Sequence, residues 1–227
     1  EWNMDPTVQP HVVLSNVEMV DGGADGHILA LTNDGDVYSK GANWAGQLGL
    51  GDIIEHDDFD KVSLTGAASF ISVSSSSSAV ILEETGQVVT VGYARGGRLG
   101  NDRTATTDST EYVSTPQYIE IYNVVDLAMA ASGTVALTSS GEVYVWGSHS
   151  LTIDYLSQSD YQPRAVPSLF GALGVYAGLQ HFFVEMEPDR YLGWGNGYKG
   201  QLGAGDADSV NTIVKKPVWM KEFLKSE

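Results

Sequence analysis

The sequence contains no cysteine, few basic residues and no long apolar run, and each absence narrows what the protein can do. A chain without cysteine has no disulfide, no thiol nucleophile and no zinc–thiolate site. The formal net charge is −17, with 12 Lys and Arg against 29 Asp and Glu, which disfavours binding to nucleic-acid phosphates. No apolar run approaches the roughly 20 residues of a membrane helix, so no membrane span is expected. The expected partner is therefore another protein, and a basic one if charge steers the encounter.

Proline is also scarce, whereas glycine is abundant. The 227 residues include 7 prolines and 26 glycines, which is typical of a globular domain with many tight turns. A cysteine-free chain is typical of a reducing compartment, which favours an intracellular location. The sequence begins at Glu1 rather than Met, so a targeting segment is not visible and the compartment stays open.

One glycine-rich segment is present twice. It reads GANWAGQLGLGD from Gly41 to Asp52 and GNGYKGQLGAGD from Gly195 to Asp206. A catalytic loop is rarely duplicated within a chain, whereas a loop that belongs to a structural repeat is expected in several copies. The duplication therefore indicates scaffold rather than chemistry.

A repeat of roughly 50 residues runs through the whole chain. Four hairpins each consist of an apolar strand, a polar turn and a second strand, and they close at Gly41, Gly92, Gly147 and Gly195. A further apolar element precedes each hairpin, and extended pieces with proline lie between the hairpins. Four short strands per unit are typical of a β-propeller blade. We predict a single all-β domain over 1–227, with repeat units at roughly 14–66, 67–121, 122–170 and 171–220.

The loop that follows the hairpin resembles the RCC1 (regulator of chromosome condensation) repeat. The resemblance is strongest at Gly41–Asp52 and Gly195–Asp206, is partly kept as GGRLGND from Gly96, and is lost after Gly147. It implies an RCC1-like β-propeller with a ring of seven blades, of which four are recognisable here. The four units therefore predict a partial ring, an open arc or a small closed propeller.

The loop residues are predicted to hold the repeat together. Glycines permit turns that a Cβ would block, leucines fill apolar space between blades, and glutamine can satisfy backbone groups. This structural set consists of Gly41, Gly46, Gln47, Leu48, Gly49, Gly97, Leu99, Gly100, Gly195, Gly200, Gln201, Leu202 and Gly203.

Two features of the first unit are candidates for partner binding. Trp44 lies within the glycine-rich loop, where it either packs between blades or is exposed as an interface anchor. An acidic segment follows, and we interpret it as either a solvated inter-strand loop or a patch for a basic partner. Its carboxylates are Asp52, Glu55, Asp57, Asp58 and Asp60. The segment lacks the spacing of an EF-hand, which disfavours calcium.

No catalytic set, metal site or cofactor is expected. The five histidines have no metal-ligand spacing, and His27 and His181 occupy equivalent repeat positions that are filled by Ser78 and Gly133 in the other units. The serine run Ser74–Ser78 lacks Gly-x-Ser-x-Gly and is assigned to an inner strand.

Three functions remain open. The first is a non-catalytic protein-interaction module, whose specificity lies in the variable segments 50–64, 101–116 and 148–163. The second is a structural component of a larger assembly, such as an organelle complex or a virus or phage particle. The third, implied by the resemblance alone, is a guanine-nucleotide exchange factor for a small GTPase.

Overall fold

The protein folds into four antiparallel β-sheets arranged in series. The fold is seen in a computed structural model, which describes residues 13–101, 111–148, 160–205 and 213–220. Each sheet has four strands that follow one another in chain order, so each sheet is a meander. We call the sheets blades 1 to 4. Each lies within the boundaries of one repeat unit read from the sequence.

The strands of each blade run from the innermost to the outermost. Blade 1 consists of β1 Val17–Gly22, β2 His27–Thr32, β3 Val37–Gly41 and β4 His56–Lys61. Blade 2 consists of β5 Ala68–Val73, β6 Ser77–Leu82, β7 Val88–Tyr93 and β8 Tyr112–Tyr118. Blade 3 consists of β9 Val124–Ala130, β10 Gly133–Thr138, β11 Val143–Gly147 and β12 Asp160–Ala165. Blade 4 consists of β13 Gly174–Ala177, β14 His181–Glu187, β15 Arg190–Asn196 and β16 Ile213–Trp219.

The all-β propeller fold is confirmed, and the closing glycines mark equivalent positions in the four blades. Each glycine pairs with the first residue of the strand before it, namely His27 with Gly41, Gly133 with Gly147 and His181 with Gly195. In blade 2 the residue opposite Gly92 is Ser77. The alignment that placed Ser78 at this position is therefore wrong by one residue, because the uniform serine run gives no pattern that fixes its register.

Only the first part of the acidic segment, residues 52–55, is a loop. Residues 56–61 form β4, the outer strand of blade 1, in which His56 pairs with Gly41 and Asp60 with Ser39. The sequence did not predict this strand because its residues are polar almost throughout. An edge strand at the rim contacts only one neighbour, so it needs no apolar alternation. In blades 2 to 4 the outer strand contains the expected proline.

Apolar clusters fill the three junctions between successive blades. We call the side of a blade that meets the next blade its forward face, and the opposite side its back face. The forward faces carry Leu29, Leu31 and Val37 in blade 1, Ala79, Ile81 and Val88 in blade 2, and Val135, Leu137 and Val143 in blade 3. They pack on back faces that include Val80, Leu82 and Val89 in blade 2, Ala136 and Trp146 in blade 3, and Phe182, Val184 and Trp194 in blade 4.

The four blades form an open arc in the described residues. No apolar cluster of those residues joins blade 4 to blade 1. Two sheet faces are therefore left at the ends, namely the back face of blade 1 and the forward face of blade 4. No helix in the described part of the chain has the length and apolarity needed to cross a bilayer.

Polar bonds connect the innermost strands of successive blades. The Asp21 carboxylate accepts from the backbone N–H of Val73 (2.8 Å), and the Asp126 carboxylate accepts from that of Val175 (3.0 Å). Burial raises the pKa of Asp126 in spite of the two N–H groups that favour its ionised form. These bonds fix how adjacent blades sit, and nothing in the sequence pattern pointed to them.

Candidate interaction surface

The glycine-rich loop of blade 1 is held by its own polar side chains. Asn43 Oδ1 accepts from the N–H of Leu48 (3.0 Å), while Asn43 Nδ2 donates to the carboxylate of Asp52 (2.8 Å). Gln47 Oε1 accepts from the N–H of Ala45 (2.9 Å). Asn43 and Gln47 are both buried, so these bonds satisfy loop backbone where water does not reach.

Blade 2 packs directly against this loop. The N–H of Gly51 donates to the carbonyl of Ser114 in β8 (2.9 Å), and the Ser78 hydroxyl donates to the carbonyl of Gln47 (2.8 Å). A Cβ on Gly46, whose φ is +72°, would lie 2.5 Å from the Cα of Ser114. The loop therefore connects blade 1 to blade 2, and the glycine is required by both its φ and its neighbour.

The corresponding loop of blade 2 contacts blade 3 in the same way. The carbonyl of Arg98 accepts from the Thr134 hydroxyl (3.0 Å) and from Trp146 Nε1 (3.0 Å). Gly100 lies against the Trp146 indole, where a Cβ would be 2.8 Å from Nε1. The leucines of all three loops, Leu48, Leu99 and Leu202, are buried.

The loop of blade 4 keeps the glutamine bond, but no following blade packs against it in the part of the chain that the structure describes. Gln201 Oε1 accepts from the N–H of Lys199 (2.8 Å), as Gln47 does from Ala45. Its asparagine stands one position earlier, so Asn196 accepts from Gln201 Nε2 (3.1 Å) instead of fixing the leucine N–H. A Cβ on Gly200 would meet nothing within 4 Å.

His27 is a structural residue at the junction of blades 1 and 2. It is fully buried, and its Nε2 lies 3.1 Å from Ser78 Oγ. Because the Ser78 proton is donated to Gln47, His27 Nε2 must carry the proton of this contact. Burial lowers the pKa of His27 to about 4, so the ring is neutral near pH 7. His181, which is only half-buried, also has a lowered pKa because of burial.

Trp44 is largely exposed, which favours an interface anchor over a side chain packed between blades. It is 52% exposed, and its ring centroid lies 5.6 Å from that of Tyr93 in blade 2. The Arg98 guanidinium stacks on the same Tyr93 ring at 4.7 Å, and the Tyr93 hydroxyl donates to Glu111 (2.6 Å). One side of the Trp44 indole thus packs against Tyr93, which Arg98 and Glu111 hold in place, and the rest of the indole is exposed to solvent.

The carboxylates of β4 and the segment before it face solvent around one histidine. Glu55, Asp57, Asp58 and Asp60 are exposed, and Asp52 is half-exposed. His56 Nδ1 lies 2.7 Å from the carboxylate of Asp60, and Nε2 lies 3.3 Å from that of Asp52. The bond to Asp60, together with Asp52, raises the pKa of His56. A protonated His56 therefore ties the end of the loop to β4.

The described residues contain no side-chain cluster suited to metal binding. Within them, no group of three or more His, Asp or Glu side chains is placed to hold a metal ion. The serine run has structural partners, since the Ser77 hydroxyl donates to the carbonyl of Tyr93 (3.0 Å) and that of Ser78 to Gln47. Much of the variable segments 101–116 and 148–163, and Asp206 at the end of the last loop, lie outside the described residues.

Comparisons with known proteins identify the repeat. No family model matches the chain. The ultraviolet-B receptor UVR8 of Arabidopsis thaliana is 28% identical over 203 residues, and the mitochondrial RCC1 domain-containing protein RUG3 of the same plant is 29% identical over 216. The alignments cover 86% and 89% of this chain. The chain is an RCC1-like repeat β-propeller.

The relatives are longer than this chain. It spans 44% of UVR8 and 46% of RUG3. Its fold also matches the crystal structure of Prp20p from Saccharomyces cerevisiae, with a TM-score of 0.77 at 17% identity, over 97% of this chain and 53% of Prp20p. The RCC1-like repeats account for the duplicated loop, which in blades 1 and 2 contacts the next blade.

Proposed function

We propose that this RCC1-like arc is a non-catalytic protein-interaction module that binds a basic protein partner at blade 1. The observation that carries the proposal is an exposed tryptophan on the loop that leads into an exposed acidic edge strand. The loop and β4 belong to one continuous segment, from Gly41 to Lys61.

Trp44 has the properties of an interface anchor. Its packing against Tyr93 reduces the rotamer freedom that binding would otherwise remove, and its indole supplies apolar area. In blade 4 the position equivalent to Trp44 is Tyr198. Tyr198 is exposed and has no aromatic contact among the described residues, whereas Trp44 packs against Tyr93. This favours the blade 1 loop as the contact site.

The β4 strand supplies the charge. Asp57, Asp58 and Asp60 of β4, with Glu55 just before it, lie at the rim of the arc, where β4 is the last described strand of its sheet. A basic segment would be attracted by these carboxylates, and such attraction is screened by salt. Prp20p, which has this fold, has binding properties toward Gsp1p and histones, and histones are basic proteins. That precedent supports the same chemistry of partner here.

The test is a binding titration with purified core histones as the basic probe. We expect binding that weakens as salt rises from low to physiological concentration. Trp44→Ala should weaken binding about tenfold or more, as the loss of an interface anchor does. Asp57→Asn with Asp58→Asn should weaken binding and reduce its salt dependence.

Two matched controls separate a site from a general charge effect. Glu83→Gln with Glu84→Gln removes the same charge from an exposed turn of blade 2, and Trp219→Ala removes another exposed tryptophan, on blade 4. Neither should change binding by more than about twofold. Equal losses in the β4 pair and the blade 2 pair would reject the site and leave only the net charge.

A second candidate function is a structural part of a larger assembly. The observation in its favour is the pair of end faces, which have no neighbouring blade among the described residues and are suited to a permanent contact. Sedimentation of the protein from its native source tests it. A mass that stays well above that of a single native polypeptide at physiological salt supports this role, whereas a single polypeptide excludes it.

A further inference from the structure

The four outer strands share a bulge opposite the residue before the closing glycine. In blade 1 a step of two residues in β3, from Ser39 to Gly41, is matched by a step of four in β4, from Asp60 to His56. The same step of four occurs in the other outer strands, from Gln117 to Val113, from Arg164 to Asp160 and from Val218 to Val214. A bulge of this kind is one way in which proteins protect a sheet edge from further pairing.

Blades 2 to 4 have a second form of edge protection that blade 1 lacks. The last residue of the bulge, just before regular pairing resumes, is Pro116, Pro163 and Pro217 in these blades. In blade 1 the same position is Phe59. Proline has no N–H, so in an edge strand it is found where the N–H would face away from the sheet. Phe59 therefore gives blade 1 a backbone N–H that the other three blades do not have.

The N–H of Phe59 faces the outer edge of β4. The N–H of Val62 donates to the carbonyl of Val37 (2.8 Å), so residue 62 faces the neighbouring strand β3. Successive residues of an antiparallel strand direct their N–H and C=O groups to alternate sides. Counting back from Val62 therefore places the backbone groups of Lys61 and Phe59 on the side away from β3.

The prolines of the other blades agree with this assignment. In blade 2 the N–H of Ile119 donates to the carbonyl of Val88 (2.8 Å), and counting back three residues places Pro116 on the outer side. In blade 3 the N–H of Val166 is bonded to its neighbouring strand in the same way, and the count leads to Pro163. Both prolines thus stand where no N–H is needed for the sheet.

The lysine of β4 does not close this edge. Lysine protects an edge strand by placing its charge over the open backbone groups. Lys61 Nζ instead forms an ion pair with Asp36 (2.6 Å), in the turn between β2 and β3 of the same blade. Among the described strands, β4 pairs only with β3. The outward N–H and C=O groups of Phe59 and Lys61 are therefore suited to pair with an added strand.

The charges around the edge favour a basic segment. Asp57, Asp58 and Asp60 are exposed on β4, and Glu55, just before the strand, is exposed as well. Side chains of neighbouring strands lie beside one another, and pairs of opposite charge stabilise a sheet. A strand added to β4 would therefore be favoured by lysine or arginine side chains.

We propose that β4 accepts an extended basic segment of the protein partner as a fifth strand of blade 1. Backbone bonds to Phe59 and Lys61 supply the pairing, and the carboxylates select basic side chains, as in other cases of β-strand addition. This inference rests on the proposed function and specifies how the basic partner binds.

The first test is a titration with a synthetic peptide of about eight residues that alternates lysine and threonine, a usual length for a strand. A second peptide of the same sequence carries a methyl group on every backbone nitrogen, which removes its N–H donors and keeps its charge. We expect the methylated peptide to bind at least about tenfold more weakly. Equal binding of the two peptides, or no binding of the first, would overturn the proposal.

Phe59→Pro makes the corresponding change in the protein. It removes the outward N–H and gives β4 the residue that the other three blades have at this position. It should weaken binding of the unmodified peptide at least about tenfold. The matched control is Phe59→Leu, which removes the ring and keeps the N–H, and it should change binding by less than about threefold. Equal losses in the two variants would overturn the proposal, because the ring would then be the contact.

Amide hydrogen exchange tests the unmodified protein, so the proposal does not depend on whether Phe59→Pro folds. A saturating amount of the lysine–threonine peptide should slow exchange at the amides of Phe59 and Lys61 at least about tenfold. The amide of Tyr118, which faces outward at the Lys61 position of β8, should not change. Unchanged exchange at Phe59 and Lys61 with the peptide bound would overturn the proposal.

Titration with core histones separates this inference from the proposed function. If the peptide tests fail while histone binding still depends on Trp44 and on Asp57 with Asp58, strand addition is rejected and the interaction site is retained. If the peptide pairs with β4 while those substitutions leave histone binding unchanged, strand addition is supported and the histone site is rejected.

Discussion

The loops of blades 1 and 4 share the Gly-Gln-Leu-Gly motif but have different surroundings. Both bind their own backbone through a glutamine, from Gln47 to Ala45 and from Gln201 to Lys199. In blade 1 the loop is covered by Ser78 and Ser114 of the next blade, whereas in blade 4 no described atom lies within 4 Å of a Cβ built on Gly200.

The difference shows which part of the structure the repeated loop residues determine. They specify the internal turn of the loop, which depends only on local residues. Whether the loop also holds a neighbouring blade depends on residues more than 30 positions away, such as Ser78. The same loop motif can therefore contribute differently to stability in two blades, and the following predictions test that difference.

The largest effect should come from filling the two equivalent glycines. Gly46→Ala places a Cβ 2.5 Å from backbone of Ser114 in addition to the cost of φ +72°, so we expect a loss of about 3 kcal/mol or more. Gly200→Ala meets only the backbone cost at φ +74°, or about 1 kcal/mol. Urea denaturation of both variants measures the difference in the free energy of unfolding. Equal losses would show that Gly46 and Gly200 have equally open surroundings.

Acid should weaken the blade 1 junction more than blade 4. The unfolded chain binds a proton at His27 below pH 6.5, but the folded chain binds it only below about pH 4. The free energy of unfolding therefore falls as pH falls from 6.5 to 4, by up to roughly 3 kcal/mol from this residue.

The variants His27→Gln and His181→Gln separate this contribution from that of the carboxylates. The first should remove most of the histidine-dependent loss, since glutamine does not titrate. The second should leave most of it, because His181 is only half-buried. Denaturation midpoints at several pH values provide the measurement, and a steeper change in His181→Gln would contradict the assignment.

The hydroxyl of Ser78 should contribute to the blade 1 loop. Ser78→Ala leaves the carbonyl of Gln47 and the N–H of His27 without this partner, at a cost of about 1–3 kcal/mol. Ser78→Thr keeps the hydroxyl, as Thr134 does in blade 3, and should retain more stability. If the two variants are equally unstable, the loss comes from packing rather than from the hydrogen bond.

The smallest contrast should be between the two glutamines. Gln47→Ala leaves the buried N–H of Ala45 unpaired and should cost about 1–2 kcal/mol. Gln201→Ala exposes the N–H of Lys199 to water and should cost less than about 1 kcal/mol. Thermal melting of the pair checks this order.

Periodicity predicts the hairpins because it is a local property. The apolar strands that start at His27 and Gly133 and the glycines that close them are recognisable from alternation and turn residues alone. The burial of Leu48, Leu99 and Leu202 also follows from their place in the repeat.

Features that depend on neighbouring blades could not be predicted from the sequence. The polar strand β4 has no apolar alternation, and the run Ser74–Ser78 has no register signal. The bond from Asp126 to Val175 joins residues 49 positions apart. The exposure of Trp44 was left open, because packing between blades and exposure at the rim are equally compatible with a loop tryptophan.

The two inner-strand histidines have a consequence for how such repeats can change. A Cβ on Gly178 would lie within 3 Å of three ring atoms of His181, and one on Gly23 would lie within 3 Å of two ring atoms of His27. Where the histidine is replaced by Ser77 or Gly133, the facing residue is Ser74 or Ala130. An ancestral blade of the His–Gly kind can therefore lose its ring first and gain a side chain afterwards, whereas the reverse order passes through a clash. The structure therefore restricts the order in which the two positions can change.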